Sequence, residues 1–549
     1  MSAPERAAEN STVVERLAAT MAELEAAHVF TLMGAGNLRL VHHLAAEHGV
    51  AIHHLRHENG AIGAADGYAR VSGRVGWCTV TQGPGFTNTL TALLTAHRAR
   101  TPLVLVTADS SNLSARQAPF AGGVQGLDPS LLLDPLGIPV IRASAETADA
   151  DLVIAHHLAA RESRTVVFVV PAGLDTAPAG PPADVHPADA TGDDSTAGPA
   201  PADAVEAAAE AIRAARRPVV LAGRGAVTAG PQLRKLAAMS GAYLATTVRA
   251  AGLFHGEPAD LGLIGGLASA EAASVIEDAD CLVAVGTTLN YFHTRRSRLV
   301  RGRTVVHVDR DPAAFTAFDA PTVAVPGDAR AVAEQLVDAL SRRGVSRSPA
   351  VAPAVAPFHD VSEPGRMDPR AVSAELDRLL PRPRRVFVDN GHFGSFPIMH
   401  MRHDRPGSLI WLPEFGAVGS ALGASAGGVH ADPEAQSVLF IGDCGLLLTL
   451  GDLELTVREA LPLIVVCMND GAAGSELQHM KDWAVPAAQA VFGYADLAAV
   501  ARGMGAQAAA VREVGQLEGA LAGWERAAGP LLLDCHISRD VRAPMYDHV

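Results

Sequence analysis

Residues 437–474, SVLFIGDCGLLLTLGDLELTVREALPLIVVCMNDGAAG, place an acid, Asp443, and an amide, Asn469, at the ends of two apolar runs. Ser437 to Gly442 and Leu463 to Met468 are short and apolar, as buried strands are, and Leu446 to Ala460 between them has helical spacing with its acids outward. This is a βαβ unit, whose right-handed crossover makes the two strands parallel neighbours, roughly 5 Å apart. Asp443 and Asn469 then emerge together beyond the carboxyl ends of a parallel sheet, where such sheets bind ligands. Mg²⁺ takes about six oxygens, commonly from a carboxylate, protein carbonyls, water and phosphate. The small residues of Gly442-Asp443-Cys444-Gly445 let backbone N–H groups approach a phosphate at the start of the following helix. An ordinary βαβ turn with a solvated Asp443 is the alternative.

The segment resembles the thiamine diphosphate signature, Gly-Asp-Gly followed at about this interval by Asn. Cys444 replaces the second Gly, and Met468 stands where the first Asn of a common Asn-Asn pair would be. The resemblance implies that Asp443, Asn469 and the carbonyl of Gly471 hold Mg²⁺. It also implies that Gly442, Asp443, Cys444, Gly445 and Asn469 contact the cofactor.

Far upstream, Arg56-His57-Glu58-Asn59-Gly60-Ala61 leads into Ala65-Asp66-Gly67-Tyr68-Ala69-Arg70 and then Thr81-Gln82-Gly83-Pro84-Gly85-Phe86-Thr87-Asn88. These stretches resemble the pyrimidine-binding domain of the acetolactate synthase branch of thiamine diphosphate enzymes, with Glu58 on the catalytic position. A carboxylic acid is needed there because a hydrogen bond to the aminopyrimidine N1′ favours the imino form, which can take the proton from thiazolium C2. Pairing of Glu58 with Arg56 or Arg70 is the structural alternative.

Trp411 to Ala424 resembles the loop and helix that precede the metal motif, so the carbonyl of Gly416 would accept from the 4′-amino group and Val418 would wedge between the two rings. Close helix packing is the other use of its glycines. Asp389-Asn390-Gly391-His392-Phe393 looks like the first diphosphate-contacting strand end, with Gly391 and His392 at the cofactor. Residues 118–128 can be laid on the synthases' Phe-Gln-Glu-x-Asp loop, with Val124, Gln125 and Asp128 at matching places and Gln125 on the substrate side. Glu476 and His479 share one face of the helix after the metal motif, as an acid/base pair or a solvated face.

Two stretches rich in Pro, Ala, Gly and Asp cannot pack a core and divide the chain. The expected organisation is a pyrimidine-binding domain over 1–175, a linker over 176–203, a middle domain over 204–345, a linker over 346–366 and a diphosphate- and metal-binding domain over 367–549. The fold class is α/β, three doubly wound parallel-sheet domains. Some relatives carry FAD across the middle domain. Ala222 to Ala226 lacks a full Gly-x-Gly-x-x-Gly, and a tight strand–helix turn explains its glycines, so FAD is possible but not expected.

The 549 residues, 48% hydrophobic, suffice for about three cores. A formal charge of −15 argues against nucleic acid and anionic membranes. No apolar run is long enough to span a bilayer, and the N-terminus has no apolar signal region, so a cytoplasmic location is expected. Cys78, Cys281, Cys444, Cys467 and Cys535 are scattered and lack metal spacing, as free thiols would be.

The resemblance implies decarboxylation of a 2-oxo acid, pyruvate first, with carboligation to a carbonyl acceptor. Pyruvate decarboxylases carry paired histidines in the loop laid on 118–128; His53-His54 lie elsewhere, on a predicted strand, which favours ligation over aldehyde release. A benzoylformate- or indolepyruvate-type decarboxylase, a specialised ligase and a silent regulatory homologue are the alternatives; a nicotinamide dehydrogenase lacks its fingerprint. The family's cofactor lies between subunits, so a homodimer or homotetramer is implied, with Glu58 and Asp443 acting from different chains.

Overall fold

A computed structural model describes residues 11–111, 125–181 and 198–547. Three parallel six-stranded sheets follow one another along the chain. The first holds β1 (His28–Leu32), β2 (Ala51–His54), β3 (Gly76–Val80), β4 (Leu103–Asp109), β5 (Val140–Arg142) and β6 (Thr165–Pro171), in the order β2-β1-β3-β4-β6-β5. The second holds β7 (Pro218–Ala222), β8 (Tyr243–Thr246), β9 (Asp260–Leu263), β10 (Cys281–Val285), β11 (Thr304–Asp309) and β12 (Val323–Pro326), in the order β12-β11-β10-β7-β8-β9. The third holds β13 (Arg384–Val388), β14 (Leu409–Trp411), β15 (Gln436–Gly442), β16 (Leu463–Asn469), β17 (Gln507–Val511) and β18 (Leu531–His536). Its order, β14-β13-β15-β16-β18-β17, repeats that of the first sheet.

Central strands such as β4, β15 and β16 are buried along their whole length, which is why they read as unbroken apolar runs. The expected βαβ unit is present, with β15 beside β16 from Ser437↔Leu463 to Gly442↔Met468. Its crossover is two helices, Asp443–Leu448 and Leu450–Arg458, broken at Thr449. The Thr449 hydroxyl donates to the Gly445 carbonyl at 2.9 Å and competes with the helical pattern. Residues 346–366 form no helix and are pinned to the second sheet's unit, Ala352 N–H donating to Pro258 O at 2.8 Å. Of the other low-complexity stretch, 182–197 lie outside the described residues, and its last residues already open helix Ala202–Ala214.

One core joins the first and third sheets, from Phe30 and Leu105 to Leu439 and Val465. Its seam is helix α1 (Glu58–Ser72) against helix α2 (Ser420–Ala431). A Cβ on Gly67 would lie 1.9 Å from Ala424 O, and one on Gly427 would lie 1.9 Å from Ala64 O. The glycines of Trp411 to Ala431 therefore do serve close packing, at Gly423 and Gly427. Among the described residues no helix is long and apolar enough to cross a membrane. The five cysteines are free thiols, all buried except the half-buried Cys444.

Candidate active site

The carboxyl ends of the third sheet open on a cavity of about 1210 Å³. Its wall includes Gly391 and His392 after β13, Gly416 and Val418 after β14, Gly442 to Gly445 after β15, and Asp470 and Ala472 after β16. Helix α3 (Gly474–Asp482) adds Glu476 and His479.

Asp443 and Asp470 are both buried. Burial pushes the Asp443 carboxyl up to about 6; burial and then the Asp443 charge push Asp470 up to about 7. Two buried carboxyls side by side, each costly to ionise without a counter-charge, make a site for a cation.

Two residues of the expected ligand set, Asn469 and Gly471, stand off the cavity wall. Asn469 is fully buried, and its Nδ2 donates to Asp534 Oδ1 at 2.8 Å and to Ala495 O at 3.2 Å. Its Oδ1 accepts from Gly471 N at 3.2 Å, so the amide is engaged in the fold and does not line the cavity. The Gly471 carbonyl is occupied too, accepting from Phe492 N at 2.8 Å and Gly493 N at 3.0 Å. Next along the chain, Asp470 and Ala472 do line the wall; Asp470 Oδ1 accepts from Ala472 N at 3.0 Å, and the Ala472 carbonyl meets the weakly donating Cys444 thiol at 3.5 Å.

The rest of the wall fits a diphosphate. A Cβ on Gly445 would lie 2.6 Å from Asp389 Oδ2, so backbone must stay bare there. Cys444 in the second-Gly position is accommodated because its thiol turns to Ala472. His392 Nε2 accepts from Ala543 N at 2.9 Å, which leaves the ring proton on Nδ1. Burial, with the charges of Lys481 and Arg542, holds that imidazole neutral, its pKa down at about 4.

Asp389 and Asn390 brace the neighbouring loop. Asp389 accepts from Gly419 N at 2.7 Å and Ala421 N at 3.3 Å, while Asn390 Nδ2 donates to Leu412 O and Ala417 O, both at 2.6 Å. Gly416 is free to take φ +73°, and Val418 is 40% exposed on the cavity wall. Glu476 is exposed; His479 stacks on Trp483 and leans on Tyr546, whose hydroxyl is 2.5 Å from Ser475 Oγ.

Glu58 and Gln125 belong to a different place. Glu58, the first residue of α1, is buried and accepts from Asn88 Nδ2 at 3.0 Å. Arg56 pairs with Glu454, and Arg70 with Asp66 and Glu414, so neither guanidinium holds Glu58. Gln125 Oε1 accepts from Gln82 Nε2 at 3.1 Å, and a Cβ on the intervening Gly83 would lie 2.7 Å from Gln125 O. These residues gather at the strand ends of the first sheet and do not line the Asp443 cavity. Val124 lies outside the described residues.

Asp470, Ala472, Ser475 and Tyr546 were not singled out by the sequence, nor were Arg98, Arg224, Arg249 and Arg310, which line the cavity where it runs over the second sheet. Burial, with the charges of Arg70 and Arg224, lowers Arg249 to about 9. The glycines after β7 are explained by loop contact, since a Cβ on Gly223 would lie 2.2 Å from Gly286 O.

Three family models match in order: the thiamine pyrophosphate enzyme N-terminal binding domain over 11–129, the central domain over 205–336 and the C-terminal binding domain over 389–535. A probable 2-ketoarginine decarboxylase of Pseudomonas aeruginosa is 30% identical over 458 residues, 81% of this chain and 80% of that protein. The chain belongs to the thiamine pyrophosphate enzymes. Within that family it is also 27% identical over 555 residues to a probable acetolactate synthase 2, chloroplastic, of Oryza sativa, covering 95% of this chain and 81% of that one. The fold matches a Rhodococcus jostii thiamine diphosphate-dependent 4-hydroxybenzoylformate decarboxylase with a TM-score of 0.79 at 20% identity, over 96% of this chain and 99% of the other. A thiamine pyrophosphate enzyme acting on a 2-oxo acid is the common denominator.

Proposed function

We propose that this thiamine diphosphate enzyme decarboxylates a 2-oxo acid, pyruvate first, and joins the acyl unit to a carbonyl acceptor. It does so in a homodimer whose sites each combine the Glu58 region of one chain with the Asp443 cavity of the other. The observation that carries the reading is that Glu58, buried and bonded to Asn88, does not line the cavity that holds Asp443.

Bound in the cavity, thiamine diphosphate supplies a carbon nucleophile for the 2-oxo acid carbonyl and an electron sink as CO₂ leaves. Asp443, Asp470 and the Ala472 carbonyl are assigned to Mg²⁺, and His392 offers its Nδ1–H to the diphosphate. Gly416 and Val418 orient the rings from a loop that Asp389 and Asn390 hold still. Glu58, released from any guanidinium and steadied by Asn88, is assigned to the pyrimidine ring of the partner's cofactor. Glu476 and His479 stand at the mouth as donors for the acceptor's oxygen.

Ligation over aldehyde release is supported by His53, whose ring is committed to Glu459 and His28. A decarboxylase is the second reading, favoured by the similarity to the 2-ketoarginine enzyme. Incubation with thiamine diphosphate, Mg²⁺ and pyruvate, followed by mass spectrometry of the products, separates them. Acetolactate that disappears in Glu58→Ala supports ligation, and acetaldehyde alone supports the second reading.

A further inference from the structure

His53, set aside by the chemistry above, is the centre of a cluster that ties the first sheet to the third. His28 begins β1, His53 lies in β2, His430 closes α2, and Glu459 follows helix Leu450–Arg458. The His53 and His430 ring centroids are 3.9 Å apart, those of His28 and His53 are 5.2 Å apart, and Phe30 and Tyr68 cover the group. None of the three histidines lines the Asp443 cavity.

The nitrogens are arranged unlike a saturated hydrogen-bond network. His53 Nδ1 is 2.8 Å from Glu459 Oε2 and donates to it, which leaves a lone pair on Nε2. That Nε2 is 2.9 Å from His28 Nδ1, a gap bridged by a single proton. His430 Nε2 is buried and pairs with the same Glu459 oxygen at 3.0 Å, off the line of a full hydrogen bond. One ligand atom from each histidine lies within 4.8 Å of the other two. Tetrahedral Zn²⁺ holds imidazole nitrogen at about 2.0–2.1 Å, which sets ligand atoms about 3.4 Å apart. Closing a gap of 4.8 Å takes a shift of about 1.4 Å, within reach of a ring turning on the last turn of a helix.

We propose that His28, His53 and His430 bind a divalent first-row metal ion of the class that favours imidazole, with Zn²⁺ as the reference ion. Glu459 then orients His53 from behind, the carboxylate–histidine–metal arrangement that fixes tautomer and raises ligand basicity. Binding shifts the His28 ring proton from Nδ1 to Nε2 and puts the ion where the shared proton was. Burial, with the charges of its neighbours, holds His28 down at about 4 and lowers His53, so these two ligands are already neutral at physiological pH. The ion would clip β1 and β2 to α2 within one chain, a role independent of the thiamine diphosphate assignment.

The test uses the full chain, stripped with EDTA and free of thiamine diphosphate. Zn²⁺ is added, the protein desalted, and retained metal counted by elemental analysis, for wild type, Asp443→Ala, His53→Ala and His430→Gln. One equivalent retained by wild type and Asp443→Ala and lost from both histidine variants is expected. X-ray absorption of zinc-loaded Asp443→Ala should show imidazole nitrogen at about 2.0–2.1 Å. Should His53→Ala not fold, His430→Gln and the absorption spectrum decide. No retained zinc in wild type, zinc lost with Asp443→Ala, or a shell without imidazole would each overturn the proposal.

Discussion

Divalent-ion binding at the Asp443 cavity should depend steeply on pH. Asp443 is raised to about 6 and Asp470 to about 7, and both must be ionised to hold the ion between two carboxylates. Taken as two competing protons, these values weaken binding at pH 5 about 1000-fold relative to pH 8, about 4 kcal/mol. Mn²⁺, which prefers oxygen ligands, is the probe, and the paramagnetic signal of the free ion gives its dissociation constant on cofactor-free protein. Removing the diphosphate matters because it would titrate in the same range. Asp470→Asn removes one of the two protons and leaves Asp443, raised by burial, to titrate alone, so the profile should flatten to about tenfold. Asn469→Ala should leave the slope as it is. An affinity that does not change between pH 5 and 8, or a slope that collapses with Asn469→Ala and survives Asp470→Asn, would refute the assignment.

The same carboxyls link metal to stability. Their folded pKa values lie above the unfolded one, so the stability they give is present in acid and is lost as pH rises from about 4 to about 7. The melting-temperature gap between Mg²⁺-loaded and EDTA-treated protein should therefore widen from pH 5 to pH 8 in calorimetry. Mixing inactive Glu58→Ala and Asp443→Ala subunits should restore part of the activity once exchange is demonstrated, and no recovery would count against a shared site. Asn469→Ala should cost about 1–3 kcal/mol in denaturant unfolding, because buried Asp534 loses a donor. Gly67→Ala should cost about 3 kcal/mol or more, since its Cβ meets a backbone oxygen at 1.9 Å.

The sheets were legible because their central strands are buried on both faces; β15 and β16 could not be mistaken for a half-exposed pattern. Gly391, Gly416 and Val418 were singled out by the resemblance of their loops to the family's, and all three line the cavity. At the metal motif the cavity wall carries Asp470 and Ala472, each one residue beyond the expected Asn469 and Gly471. The common Asn-Asn pair can be laid on Met468-Asn469 or on Asn469-Asp470, and the interval from Asp443 alone does not choose. What chooses is buried Asp534, 65 residues further on, which claims the Asn469 amide. Asn390 as a brace and Tyr546 as a wall likewise depend on contacts between distant segments. The paired histidines His53-His54 carried no readable role, because their partners His28, His430 and Glu459 come from three other elements.

Helices α1 and α2 touch backbone to backbone through Gly63, Gly67, Gly423 and Gly427, with no layer of side chains between them. α1 begins with Glu58, and α2 begins where the Gly416–Val418 loop ends. Side chains can tilt and absorb a small shift; bare backbone cannot. The two helices form one stiff unit, so a shift of the Gly416–Val418 loop is carried through to Glu58. A chain built this way cannot loosen its grip at one end while holding the other in place.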